Sequence, residues 1–446
     1  PPTRANIYDR NGEILADMNG QIVSVSVTRE RIPDETTCIN TLASALQQDA
    51  SIIQARMQNF GFSQLAEYGI MEAGDFSQWQ LALESNCAAE FDNQAVRRYI
   101  NGDLLPHIIG YVGYPNEADL EALEWDGFRQ DSIVGRTGIE RTWNSTLAGT
   151  PGGRLSIITP SGVQLRLLGQ QGAEPGESVY LTIDSRLQRE VSRIITQAYN
   201  AAPWSETSAG ASAIVYDPNT GAILAMVSYP TFNANAFNAF PVMGQQSAQE
   251  IIATVQSDPA RPQLNRPTQG AYPSGSVMKL MTAVAALDSG LYGFDDSYMS
   301  TGIWNRDIPR VDWSPVGHGR QTLAGALTVS CNSCFYEVGY QMDQIDPYML
   351  PAYAQRMGLG VLTGIERDIP EREGIIANPD TKVQYAAATD GPWTFSDAVD
   401  MSIGQGFVAV TPLQMVRMYG AVATDGTLWR PQLVERAGLL GEISYT

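Results

Sequence analysis

The residues that first invite a chemical reading are Ser276 and Lys279, in the stretch "AYPSGSVMKLMTAVAALDSG" over 271–290. Among 28 lysines and arginines only two are lysine, Lys279 and Lys382. A serine hydroxyl is a weak nucleophile at neutral pH and needs an adjacent base. An amine three residues further on lies on the same helical face, one turn away. It can serve as that base if burial lowers its pKa toward neutrality. Val277, Met278, Leu280 and Met281 supply apolar surroundings for that. Arginine keeps its proton and cannot substitute. A helix N-terminus adds N–H groups and a partial positive charge for a developing oxyanion. Alone the pair is weak, since a serine three residues before one of two lysines arises by chance roughly one time in seven.

A second polar box, Ser330-Cys331-Asn332, stands 54 residues after Ser276. It reads as a short loop between two runs of helical character, "TLAGALTV" and "FYEVGYQM". A hydroxyl there could relay a proton to a leaving amine, and an Asn amide could bond a substrate amide. The competing reading is a plain helix cap by Ser330 or Asn332.

The elements that must position these boxes are legible nearby. Pro273 and Gly275 break the chain, Val277–Leu287 reads as a helix, and Gly290 stops it. "ASAIVYDPNTGAILAMVSYP" (211–230) reads as two strands around a Pro-Asn-Thr-Gly turn. Asp184 caps a helix with Leu187, Val191, Ile194, Ile195 and Ala198 at helical spacing. Thr411 and Pro412 start another helix, with Gly426 as its stop. Earlier in the chain, "QIVSVSV" alternates as a half-buried strand, and 36–130 mixes helices and loops. "GQQGAEPGES" (169–178) reads as a linker and carries the domain boundary.

A chain of 446 residues suits two or three domains. Its net charge of −20 argues against a nucleic-acid partner and against an anionic lipid surface. No run of about 18 apolar residues is present, and no signal-peptide pattern opens the sequence. His107 and His318 stand apart in sequence from any Cys-x-x-Cys pair, which argues against a zinc site. Cys38 and Cys87 read equally well as a disulfide or as two buried thiols. Cys331 and Cys334 allow a redox or disulfide role, against plain packing in the following helix.

Together, "YPSGSVMK" and "SCN" resemble the first two active-site motifs of the penicillin-binding proteins and serine β-lactamases. "RANIYDRNGEILA" (4–16), "GRTGIERTWNSTLAGTPG", "GHGRQTLAGALTVSCNSCFY", "GLGVLTGIE" and "SIGQGFVAVTPLQM" extend the likeness over nearly the whole chain, specifically to class B penicillin-binding proteins. Ala5 stands where that family usually has glycine. The resemblance implies an α+β chain with a non-catalytic pedestal over 1–175 and a transpeptidase domain over 176–446, an antiparallel sheet flanked by helices. It implies a D,D-transpeptidase that cross-links peptidoglycan stem peptides for cell elongation or division, is acylated by β-lactams and uses no cofactor or metal. Ser276 would be the nucleophile, Lys279 the base, Ser330 the proton relay and Asn332 a substrate contact. Glu140 and Arg141 are expected to hold the pedestal together, and His107 and His318 receive no catalytic role. A membrane glycosyltransferase is the implied partner. The extracytoplasmic face of the membrane is the implied location, with an anchoring helix expected before residue 1.

The family's third box, Lys-Thr-Gly, occurs nowhere in the 446 residues; Lys382 sits in "TKVQ", and the "RTG" of Arg136–Gly138 lies inside another box. A segment carrying it, with the remaining strands, is expected outside these 446 residues, either further along the same polypeptide or on a second one, and activity from residues 1–446 alone is expected to suffer. Two other readings stay open: a non-catalytic scaffold or β-lactam sensor, and a D,D-carboxypeptidase or β-lactamase. The pedestal boxes weigh against the hydrolases.

Overall fold

The valine–serine alternation at 21–27 belongs to a longer strand in the computed structural model, which describes residues 2–123, 128–159, 164–203, 205–306, 308–387, 390–438 and 441–442. That strand, Ile14–Thr28, is the centre of a mixed sheet. It pairs antiparallel with Leu65–Glu72 on one edge and with Glu90–Tyr99 on the other. Val23, Val25 and Val27 face three helices, Glu35–Ala45, Ala50–Asn59 and Ala73–Cys87, and are fully buried. Each such valine contributes about 1.5–3 kcal/mol. The opposite face is not solvated as a half-buried strand would be. Ser24 is buried, and Ile22 packs with Ile70, Val96, Phe240 and Val242. Phe240 and Val242 come from more than 200 positions further along the sequence, where no local pattern reports them.

The chain divides into two units, and both are discontinuous: 1–211 with 225–264 and 433–446, and 212–224 with 265–432. In the first unit, Val434–Ala437 pairs with Val179–Leu181, which runs parallel to Ile7–Tyr8. A disulfide joins Cys38 to Cys87. Glu140 is fully buried between two guanidiniums, with Arg4 Nε at 2.6 Å and Arg97 Nε at 2.7 Å. Burial alone would raise this carboxyl; the two arginines outweigh it and hold it below the usual range. Arg141, by contrast, is largely exposed and stands 3.9 Å from Asp119. Asp184 caps the helix Ser185–Ala201 by accepting from the N–H groups of Arg186 and Leu187. That helix buries Ser185 and Gln188 rather than its apolar stripe, and Ile194 is exposed. Gln188 is the anchor: it donates to the Met226 carbonyl at 2.9 Å and accepts from the Met226 N–H at 2.8 Å.

The second unit is mostly helical. Around the helix Lys279–Asp288, one core collects Met278, Met281, Ala285 and Ala286 with Val338, Met342, Leu350, Val410 and Met418. A second core holds Ala283, Trp304, Phe335, Tyr336, Val399 and Ile403. The helix Asn332–Ile345 lies against Phe395–Ser402. Thr411 and Gln414 form a capping box at the start of Pro412–Ala423. Both strands expected over 211–230 are present, Ala211–Tyr216 and Ile223–Tyr229, and the Asp217 N–H closes the turn on the Ala222 carbonyl at 2.9 Å.

Candidate active site

The α-helix carrying Lys279 starts two residues later than its sequence pattern predicts, because Gly275–Met278 winds as a 3₁₀ turn. A 3₁₀ turn has three residues per turn, so positions i and i+3 eclipse. Ser276 and Lys279 are such a pair. Gly275 enters the turn at φ +58°, a conformation that suits glycine. The turn is docked on Gly404 of the "IGQG" stretch, where the Gly275 N–H donates to the Gly404 carbonyl at 2.9 Å. A Cβ on Gly404 would meet the Gly275 carbonyl oxygen at 2.4 Å, so this approach requires glycine.

Lys279 is 1% exposed. Its ammonium uses all three of its donors: to the Ser330 carbonyl at 2.7 Å, the Ser330 Oγ at 3.0 Å and the Asn332 Oδ1 at 2.6 Å. No carboxylate touches it among the described residues. Burial drives its pKa down from 10.5 to about 8, with Asp312 opposing that shift through its charge. The second polar box is thus brought onto the lysine, as the chemistry requires. Ser276 stands apart in hydrogen bonding: its side chain is exposed, and no bond joins it to Lys279 or Ser330 among the described residues.

The box itself differs from a simple cap by Ser330 or Asn332. The helix Leu323–Thr328 ends, Ser330 adopts a left-handed backbone at φ +52°, and Asn332 opens the next helix. The cap is Cys331, whose sulfur accepts the Cys334 N–H at 3.1 Å and is disulfide-bonded to Cys334. Sequence reasoning missed three neighbours. Asp312 Oδ2 accepts the Ser333 N–H at 2.7 Å and the Ser333 hydroxyl at 2.9 Å. His318 Nε2 stands 3.1 Å from Asp312 Oδ1. Trp313 Nε1 donates to the carbonyls of Val329 and Ser330, each at 3.1 Å. Burial would raise Asp312, but the bonds from Ser333 and His318 outweigh it and hold it low. Donor atoms of Asp312, His318 and Cys331 come within 4.8 Å of one another, a proximity their sequence separation does not suggest. Two short ladders fold this segment over the box: Ile303–Trp304 with Arg310–Val311, and Ser297–Ser300 with Gly319–Thr322.

The remaining singled-out residues lie elsewhere. Lys382 is buried against Asp397 at 2.9 Å and the Pro392 carbonyl at 3.1 Å. His107 Nε2 lies 2.6 Å from the Pro262 carbonyl oxygen.

Comparison with known proteins identifies two family domains. Residues 211–438 match the penicillin binding protein transpeptidase domain, and residues 1–181 match the penicillin-binding protein dimerisation domain. The peptidoglycan D,D-transpeptidase MrdA of Acinetobacter baumannii is 29% identical over 441 residues, 96% of this chain and 61% of the relative. Its counterpart in Escherichia coli K12 is 29% identical over 446 residues, 97% of this chain and 66% of the relative. The chain therefore spans less than two thirds of these curated relatives. Among solved structures, the PBP2–MreC complex of Helicobacter pylori aligns with a TM-score of 0.73 at 27% identity, covering 97% of this chain and 78% of that one. Pseudomonas aeruginosa PBP2 in complex with WCK 5153 aligns at 0.67 and 25%, covering all of this chain and 74% of that one.

Proposed function

This chain belongs to the class B penicillin-binding proteins, and from that premise we propose that it supplies the acylating centre of a serine D,D-transpeptidase of peptidoglycan synthesis. One observation carries the reading. The buried Lys279, lowered to about 8, follows Ser276 by one 3₁₀ turn and holds both Ser330 and Asn332. Among lysines, only an amine with a pKa near ambient pH has an appreciable neutral fraction to act as a base.

Neutral Lys279 takes the Ser276 hydroxyl proton as Oγ attacks the carbonyl carbon of a D-Ala-D-Ala end. The C–N bond breaks, and the proton passes from Lys279 through the Ser330 hydroxyl to the departing D-alanine amine. An ester on Ser276 remains. An amine of a neighbouring stem peptide attacks that ester, a C–N bond forms as the C–O bond breaks, and the proton the amine gives up passes to Ser276 Oγ, which restores the hydroxyl. Asn332 Oδ1 is occupied by Lys279, which leaves its amide N–H group to bind a substrate carbonyl. A β-lactam would stop at the ester stage.

The matched spans support a pedestal followed by a transpeptidase domain; we set the division at 175–176, although the dimerisation match extends to 181 and the first structural unit to 211. No described helix is long and apolar enough to cross a membrane. The curated relatives are peptidoglycan transpeptidases, and this supports work on the extracytoplasmic face, on stem peptides, beside a membrane glycosyltransferase. The test is intact-mass measurement of the full-length protein after incubation with a penicillin. An adduct present in the wild type and absent in Ser276→Ala is expected. No adduct on the full-length protein would leave a non-catalytic scaffold.

A further inference from the structure

Two consecutive residues grip opposite ends of the Ser330–Asn332 turn. Asp312 takes the Ser333 N–H and hydroxyl on the helix side. Trp313 gives its indole N–H to the Val329 and Ser330 carbonyls on the other side. The residue between these grips, Ser330, sits at φ +52°, a conformation that a non-glycine residue rarely adopts and that persists only where its surroundings impose it.

The donor count shows why the second grip matters. Lys279 satisfies three acceptors with three N–H bonds. Once neutral it has only two. When its lone pair faces the Ser276 hydroxyl, the Ser330 hydroxyl cannot turn to donate to it, and one of the three acceptors loses its N–H. Among the described residues, the Ser330 carbonyl is the one acceptor of the three that has a second donor, and that donor, an indole N–H, does not titrate. Releasing the carbonyl costs little because Trp313 still holds it. Releasing the Ser330 hydroxyl or Asn332 would dismantle the relay. The indole ring lies against His318, with centroids 5.1 Å apart, and His318 is itself tied to Asp312.

We infer that Trp313 is a positioning residue for the acylation reaction, holding the Ser330 carbonyl in place through the Lys279 proton cycle. This rests on the transpeptidase reading above. It acts through the N–H and not through the exposed face of the ring, so phenylalanine and alanine should be equally damaging.

The test is penicillin acylation of the full-length protein over a range of concentrations, separating the saturating rate from the half-saturating concentration. In Trp313→Phe the saturating rate is expected to fall about tenfold, the worth of one hydrogen bond, at an unchanged half-saturating concentration. Trp313→Ala should fall by the same factor. Trp313→His, which keeps a ring N–H, should recover part of the rate and provides a second folded variant. A Trp313→Phe protein that acylates at the wild-type rate overturns the inference. So does a loss confined to the half-saturating concentration, which would make the ring a ligand contact. A wild-type protein that forms no adduct sinks the transpeptidase reading itself, an outcome distinct from either.

Discussion

At Lys279 a buried ammonium meets a carbonyl, a hydroxyl and an amide oxygen; at Lys382 an equally buried one meets a carboxylate. The two lysines are 1% and 3% exposed, and each lies beside an aromatic ring, Phe335 at 5.8 Å and Phe407 at 5.3 Å. Burial and ring contact are therefore shared, and the carboxylate is the difference. A contacting carboxylate favours the charged lysine, whereas neutral acceptors leave desolvation unopposed at close range. One site can give up a proton near neutrality, and the other is an ion pair within the fold. The lesson is that scarcity of lysine did not mark a catalytic residue by itself. Both copies are buried for a reason, and the partner separates the reasons.

The most direct way to break this contrast is Lys279→Met. It should cut penicillin acylation by about 10²- to 10⁴-fold, the range of general-base catalysis. Thermal unfolding should change less than in Lys382→Met, because removing an amine that burial disfavours offsets the loss of its three bonds to neutral acceptors. Near-wild-type acylation in this variant would remove Lys279 from the mechanism. Lys382→Met should do the reverse. It strands the Asp397 carboxylate, whose remaining bonds are to the Thr394 N–H and hydroxyl, and should cost about 3–5 kcal/mol in urea unfolding. Acylation measured well below the melting transition should persist. The double variant Lys382→Met/Asp397→Leu should regain most of the stability. If it does not, Lys382 has some role besides ion pairing.

A smaller effect sharpens the contrast through pH. Acylation needs neutral Lys279, so its rate should rise with pH by about tenfold per unit below about 8 and level off above. A rate independent of pH between about 6 and 8 would mean the proton leaves by another route.

The contrast also marks what was legible in the sequence. Ser276 and Lys279 were readable because their relation is local: three residues in one helical turn, with apolar neighbours that bury the amine. Ser330 and Asn332 were readable as a motif but not as a conformation. The left-handed backbone at Ser330 and the cap by Cys331 depend on bonds from Asp312 and Trp313, which two-residue ladder strands carry across. Such short strands have no periodicity to detect. Glu140 was readable as structural, while its partners Arg4 and Arg97 lie 136 and 43 residues away. The same holds for Lys382, whose carboxylate partner lies 15 residues on and looks in sequence like any helix-start acid. The α+β class was implied by the family resemblance, but the interleaving of 225–264 and 433–446 into the first unit was not legible, because those contacts are made only after the chain returns.

The smallest expected effect concerns stability. Lys279 has a folded pKa of about 8, below its ordinary 10.5. Between these values the unfolded chain binds more protons than the folded one, so stability rises with pH across that window. The contribution is fully present above 10.5 and is lost as pH falls through about 8. One proton limits the slope to about 1.4 kcal/mol per pH unit. Urea unfolding of the wild type and Lys279→Met at matched pH isolates this term, because the other titrating groups are common to both proteins. The wild type should gain on the variant between about pH 8 and 10. A gap that stays constant would show that burial does not disfavour the charge on Lys279. The contrast with Lys382 would then rest on geometry alone.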